Sequence, residues 1–323
     1  MFYAIRHFTR YRYSHPVWQS MMEVRMHPRS EGNQRCFVFQ LSVNPRARIF
    51  SYTDSRGNLV HHFDLPARHE QLTIISDALV NIEPQAPVPE TMDYAAWNEL
   101  EQLIEQKDYW DTLLPSRFAR SSPALDELAE EIGVTQREGR NPLAFLRDVA
   151  SGVHRSFTYV KKSTRVNSPI EHALQSRQGV CQDFAHVMIT LVRKAQIPCR
   201  YVSGYLYHNH GGESPEHPAD GATHAWVEAL LPNLGWIGLD PTINRLVGGK
   251  HIRTAVGRDY ADVPPTMGTM KGKAGTELQV RVRVTPSQAV LPPDEEFAAD
   301  AEWSQFLEED QESQAANAQQ DQQ

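Results

Sequence analysis

Cysteine is scarce in this chain: Cys36, Cys181 and Cys199 are the only three in 323 residues. Three thiols cannot build a disulfide framework, and such sparse usage fits a reducing compartment. Long apolar runs are missing too, with no stretch of about 18 apolar residues to form a membrane-spanning helix. The opening Met1-Phe2-Tyr3-Ala4-Ile5-Arg6-His7 has neither the apolar centre nor the cleavage site of a signal peptide, so a cytoplasmic location is expected. No Asp/Asn/Gly loop has EF-hand spacing, so no calcium site, other metal or cofactor is expected. Internal repeats are absent. An excess of positive charge is absent as well. The net charge is −8, but ten carboxylates and no Lys or Arg follow Leu291. The rest is close to neutral and slightly basic, and neither nucleic acid nor membrane is an implied partner.

What is present is ordinary for a globular protein, 40% apolar and 22% charged, and long enough for two domains. Residues 1–85 read as a β domain of sandwich type. Strand patterns cover Tyr3–Tyr13, Met22–Met26, Cys36–Val43, Arg46–Thr53, Leu59–Leu65 and Glu70–Ile82. Ser14-His15-Pro16-Val17 is expected to break the first, and Asp54-Ser55-Arg56-Gly57-Asn58 is a hairpin-type turn. Pro84, Pro87 and Pro89 mark a boundary, and 86–120 is a connecting segment with a short helix around Trp97–Glu105.

A core follows over 121–290. Ser122-Pro123 and Asn141-Pro142 each place a capping side chain before a proline at the first helical position. Ser168-Pro169-Ile170-Glu171 fits a capping box. Glu277–Val284 alternates perfectly and is expected as a closing strand of that core. The segment 291–323 is acidic, then Gln/Ala-rich, and its composition predicts disorder. His208, His210 and His217 lie in an irregular Gly/Pro loop, which reads as a flexible segment beside the core rather than a metal site.

The most informative stretch is 178–242. After Gly179, apolar residues recur with helical period at Phe184, Val187, Met188, Leu191 and Val192, so Cys181 stands at the first turn of a buried helix. Unpaired N–H groups and the helix dipole favour an anion there, which suits a thiolate and the oxyanion of an acyl-transfer intermediate. An isolated cysteine before an apolar helix is more often plain core. The context changes that reading. His224 opens the strand Ala225–Leu231, Asp240 ends the strand Trp236–Leu239, and Pro232-Asn233-Leu234-Gly235 supplies a turn between them. In an antiparallel hairpin those two ends are adjacent, which gives a cysteine, a base and an orienting carboxylate. Cys36 and Cys199 sit inside strand patterns and read as inert.

Gly179-Val180-Cys181-Gln182-Asp183-Phe184-Ala185-His186, His224-Ala225-Trp226-Val227-Glu228 and Asp240-Pro241-Thr242 resemble the transglutaminase-like superfamily in its bacterial form. His7–Ser14, Asp54–Asn58 and Arg258–Pro265 resemble further segments of the same bacterial proteins. The resemblance covers about 290 residues and implies an α+β fold. Its papain-like core would pack a Cys-bearing helix against an antiparallel sheet. It also implies Cys181 as nucleophile, His224 as base and acid, and Asp240 as the orienter of the imidazole. The expected activity is thioester-mediated acyl transfer on peptide or isopeptide-type amides, with hydrolysis favoured slightly over transamidation. A non-catalytic peptide-binding module that kept the fold is the alternative. Loss of one of the three residues would signal it, and all three are present.

Overall fold

The computed structural model describes residues 1–106, 108–137, 139–208 and 223–291. The expectations for the histidine-rich loop beyond His208 and for the acidic tail beyond Leu291 lie outside the described residues. The chain first forms β1 (Phe2–Val24), β2 (Gln34–Asn44), β3 (Phe50–Thr53), β4 (Leu59–Leu65) and β5 (His69–Ile82). Helices α1 (Ala96–Gln106), α2 (Trp110–Leu113), α3 (Pro123–Glu131) and α4 (Pro142–Ser156) follow. Then come β6 (Thr158–Tyr159), α5 (Ile170–Ser176), β7 (Gln178–Gly179) and α6 (Cys181–Lys194). The remaining strands are β8 (Cys199–Leu206), β9 (His224–Leu231), β10 (Gly235–Asp240), β11 (Arg245–Leu246), β12 (His251–Gly257), β13 (Thr266–Lys271) and β14 (Thr276–Ser287).

The first sheet runs β2-β5-β1-β4-β3, with β13 and β14 also paired to β1. Ser14-His15-Pro16 does not end β1, contrary to the sequence expectation; the strand continues for 23 residues and changes partners instead. Phe2–Arg12 pair with β5 and β14, whereas Ser20–Val24 pair with β4. Pro16 lies where the register against β5 jumps between Arg12 and Val17, so its missing N–H costs no ladder bond. The two halves fold over a shared core of Met22, Val24, Phe63 and Leu65 against Val43, Leu72 and Ile74. This is the anticipated sandwich-like module.

One boundary needs correction. β14 alternates as expected, but it pairs with β1 from Phe2 to Tyr13 and so closes the N-terminal sheet, not the sheet of the core. Its inward valines, Val282 and Val284, complete the cluster of Tyr3, Ile5, Ala78 and Val80. The chain therefore leaves the N-terminal module at Pro84 and returns to it at β13.

The second sheet runs β11-β10-β9-β8-β12, and α6 packs on β9 and β8. Phe184, Val187, Met188, Leu191 and Val192 of α6 are all buried in the large core shared with α3, α4 and α5. Each such side chain contributes about 1.5–3 kcal/mol relative to exposure. The caps at Ser122 and Asn141 form as expected, with the side chains accepting from the N–H groups of Leu125 and Ala144. The Ser168 box does not form. Its hydroxyl accepts from Arg165 N–H in the preceding turn, and Pro169 takes the cap position.

The two sheets meet where Tyr205 and Ile252 enter the N-terminal cluster. Two side-chain amides also grip the backbone of β12. Gln34 donates to Arg253 O and accepts from Arg253 N–H, both at 2.8 Å. Asn58 donates to Val256 O at 2.9 Å and accepts from Val256 N–H at 2.8 Å. Each amide imitates a neighbouring strand.

Candidate active site

Cys181 is the first residue of α6 and is half-buried. Asp183 shapes the entry to this helix: its Oδ2 accepts from Val180 N–H at 2.8 Å and from the Thr164 hydroxyl at 2.5 Å. Burial still pushes the Asp183 carboxyl above its usual range. A Cβ on Gly179 would come within 2.8 Å of Asp183 Cβ. Glycine is required here by that close approach. Tyr159, Tyr201 and Tyr260 lie within electrostatic reach of the thiol. Burial raises the pKa of each phenol, and charge at Cys181 raises it further.

The hairpin of β9 and β10 keeps regular register from Leu231↔Gly235 to Val227↔Leu239. It thereby brings His224, at the start of one strand, beside Asp240, at the end of the other. His224 Nε2 donates to Asp240 Oδ2 at 2.6 Å, and the two residues are 3% and 0% exposed. Asp240 Oδ1 accepts from Thr242 N–H at 2.9 Å, which fixes the carboxylate plane. The other ring nitrogen of His224, Nδ1, is buried and has no hydrogen-bond partner among the described residues.

Sequence reasoning missed one member of this group. His251, first residue of β12, donates from Nε2 to the same Asp240 Oδ2 at 3.1 Å, while its Nδ1 accepts from Gly248 N–H at 3.4 Å. Trp226 stands edge-on to it at 5.2 Å. Gly204 permits the assembly, because a Cβ there would lie 2.1 Å from Ile252 O and 2.6 Å from the Trp226 ring. The signal available in the sequence was the short β-type run Ile252-Arg253-Thr254-Ala255-Val256 after Gly248-Gly249, which marks β12 but does not say where it goes.

Burial alone would lower the His224 pKa. The charge and hydrogen bond of Asp240, joined by the electrostatic influence of Cys181, overcome it and push the pKa up to about 10. Burial opposes the Asp240 charge too, yet the two imidazoles hold its carboxyl well below the usual range. For His251 burial wins over Asp240, and the pKa falls. One carboxylate therefore holds one imidazolium and one neutral imidazole. Such a ring, pinned at Nε2 and unpartnered at Nδ1, is equipped to exchange a proton with a thiol. His186, in the Cys181 motif, is turned away: its Nε2 accepts from Tyr260 N–H at 3.2 Å and its ring stacks on Phe118. Burial pushes the thiols of Cys36 and Cys199 up to about 11.

His224, Asp240 and His251 also present three ligand-type atoms within 4.8 Å of one another. The separations of 2.6 and 3.1 Å are those of hydrogen bonds. Zinc would need each atom at about 2.0–2.2 Å, and so would have to displace both bonds.

Known proteins resemble this chain in both of its modules. Residues 3–81 match the model of the bacterial transglutaminase-like N-terminal region, and residues 126–241 match that of the transglutaminase-like superfamily core. An uncharacterized protein of Mycobacterium leprae is 32% identical over 279 residues, 86% of this chain and 96% of the relative. The protein-glutamine gamma-glutamyltransferase of Pseudomonas aeruginosa is 29% identical over 176 residues, 50% of this chain and 25% of that protein. The crystal structure of a candidate cysteine protease from Cytophaga hutchinsonii superposes with a TM-score of 0.66 at 22% identity, over 89% of this chain and 92% of the other. At that identity the likeness is one of fold. With both family models matched in order and a relative aligned along nearly its whole length, the chain belongs to the transglutaminase-like superfamily.

Proposed function

We propose that the chain is a cysteine enzyme that transfers acyl groups from peptide or isopeptide-type amides. The observation that carries this reading is the His224 ring, held by Asp240 through Nε2 and acted on by Cys181. His224 holds the Cys181 proton as an imidazolium, which stabilises the thiolate. Sγ attacks the amide carbonyl, and N–H groups at the start of α6 receive the oxyanion. As the C–N bond breaks, the leaving amine or ammonia takes the proton from His224, and a thioester remains. Water, deprotonated by His224, then releases the acid; an amine entering the same way gives transamidation.

Hydrolysis is the favoured outcome. Water reaches a half-exposed thioester without a dedicated site, whereas transamidation needs an amine held at attack distance. Asp240 acts by orientation and charge, without itself taking the proton. We also propose a cytoplasmic location, which the sparse cysteine usage supports, and a peptide or protein amide as partner.

The test incubates glutamine-containing peptides with wild type and Cys181→Ala, with and without a primary amine. Thiol-dependent ammonia or peptide release in wild type alone is expected. Equal rates in the two proteins would refute the assignment, and amine incorporation outpacing release would reverse the order of the two reactions. Brief alkylation with mass-spectrometric mapping should modify Cys181 before Cys36 and Cys199.

A further inference from the structure

The loop between β6 and α5, residues 160–169, is tied to the chain on both sides of Cys181. Before the nucleophile, Val160 N–H donates to Gly179 O at 3.0 Å, continuing the parallel pair of β6 and β7. After it, Gln182 Nε2 donates to Val166 O at 3.1 Å, and the Thr164 hydroxyl donates to Asp183 Oδ2. Both partners on α6 are buried, Gln182 at 7% and Asp183 at 2% exposure. Chain steps are about 3.8 Å, so a loop held at residues 179, 182 and 183 flanks residue 181. Tyr159, just before the loop, is within electrostatic reach of the thiol.

Between these anchors the loop makes two turns. Ser163 N–H closes the first on Val160 O at 3.2 Å, with Lys161 and Lys162 at its corners. Lys162 is left-handed, at φ 64°, where glycine is favoured. Ser168 N–H closes the second on Arg165 O at 2.9 Å, and the Ser168 hydroxyl accepts from Arg165 N–H. Lys161, Lys162 and Arg165 are all exposed, and among the described residues no carboxylate pairs with any of them. Asp183, the carboxylate nearest to Cys181 in sequence, is inside and occupied by Thr164 and Val180.

Scattered surface lysines need no explanation. Here the backbone is fastened by side chains of the nucleophile's own helix, and a lysine is kept where glycine would be less strained. Strain of that kind gathers at ligand clamps. The three charges are therefore held beside the thiol rather than left on a free loop.

We propose, on the cysteine-enzyme reading above, that Lys161, Lys162 and Arg165 form a basic rim that selects acyl-donor peptides carrying carboxylates next to the scissile amide. Residues of an extended peptide are about 3.4 Å apart, so acidic side chains two or three residues from the amide come within reach of these long cations. Arg165 offers a carboxylate a planar fork, and the lysines offer mobile point charges. Contacts at the surface steer encounter and are screened by salt, so the rim acts on KM more than on the chemical step.

Alkylation of Cys181 by iodoacetate and by iodoacetamide, reagents of similar size and different charge, reads the rim without a substrate. A changed thiol pKa moves both rates alike, so their ratio reports the surrounding charge. Lys161→Glu with Lys162→Glu and Arg165→Glu should lower the iodoacetate-to-iodoacetamide ratio about tenfold. Salt at about 0.5 M should shrink the difference between the two proteins. Thr164→Val keeps every cation but loses the bond to Asp183; it should lower the ratio too, and Thr164→Ser should restore it. Glutamine peptides flanked by Glu should show a KM about tenfold below that of Lys-flanked ones, and the charge reversal should invert the order. A ratio unmoved by the reversal would overturn the proposal, as would equal KM for the two peptides in wild type. Turnover of neither peptide, with the ratio responding as expected, would refute the enzyme reading alone.

Discussion

His7 and His224 are equally dry, at 1% and 3% exposure, and they behave in opposite ways. His7 lies where the two sheets meet, with Nδ1 on the Tyr205 hydroxyl at 2.9 Å and Nε2 on the Thr9 hydroxyl at 3.2 Å. Burial pushes its pKa down to about 3. His224 meets the same burial and stands at about 10, because the charge and hydrogen bond of Asp240, joined by Cys181, outweigh it. Hydroxyls satisfy an imidazole without charging it; Asp240 charges it. The comparison teaches that burial is the default that makes a histidine structural, and that one buried carboxylate reverses it. His251 lies between the two: it shares Asp240 with His224, and its pKa is lowered.

Removing the charge that separates the two residues should have the largest effect. Asp240→Asn keeps a bond to the ring but no longer stabilises an imidazolium, so His224 should follow burial, as His7 does. Activity is expected to fall by about 100-fold or more with KM little changed. NMR titration of the ring provides the check. A His224 that still titrates near 10 would assign its charge to Cys181 instead.

The pH dependence of stability sharpens the contrast, because the two signs are opposite. His7 has a lowered folded pKa, so the unfolded chain binds a proton first, and stability should fall as pH drops from about 6.5 toward 3. His224 has a raised folded pKa. Its stabilisation is full below about 6.5 and is lost as pH rises toward 10. Each slope is at most about 1.4 kcal/mol per pH unit. Urea midpoints across pH should show both limbs in wild type. His7→Leu should flatten the acid limb and leave the alkaline one.

Two smaller effects follow. His251→Leu removes the second donor on Asp240 and should lower kcat about tenfold, while His251→Gln, which can still donate, should restore most of it. Equal losses in both variants would reduce His251 to packing. Asn58→Ala strips one pair of bonds from β12 and should cost about 1–3 kcal/mol, read as a lower thermal midpoint.

Much of this was legible in the sequence because it is local. Periodicity placed α6, capping chemistry placed α3 and α4, and a short turn fixed the hairpin that joins His224 to Asp240. What stayed hidden depends on distant partners. Pro16 reads as a stop until one knows that β1 changes neighbours there. β14 reads as part of the core because alternation shows which face is buried but not against what. His251 is 11 residues from Asp240, with β8 between its strand and that of His224, so only the sheet order reveals it.

The grip of Gln34 and Asn58 on β12 has a consequence for assembly. The outer edge of a sheet is a row of unpaired N–H and C=O groups, a template on which another chain can add a strand. Here the two amides occupy that row at Arg253 and Val256. The N-terminal module therefore acts as an intramolecular guard against edge-to-edge association. A core cut free at Pro84 would bare the edge, and light scattering should find it self-associating, while the intact chain stays dispersed.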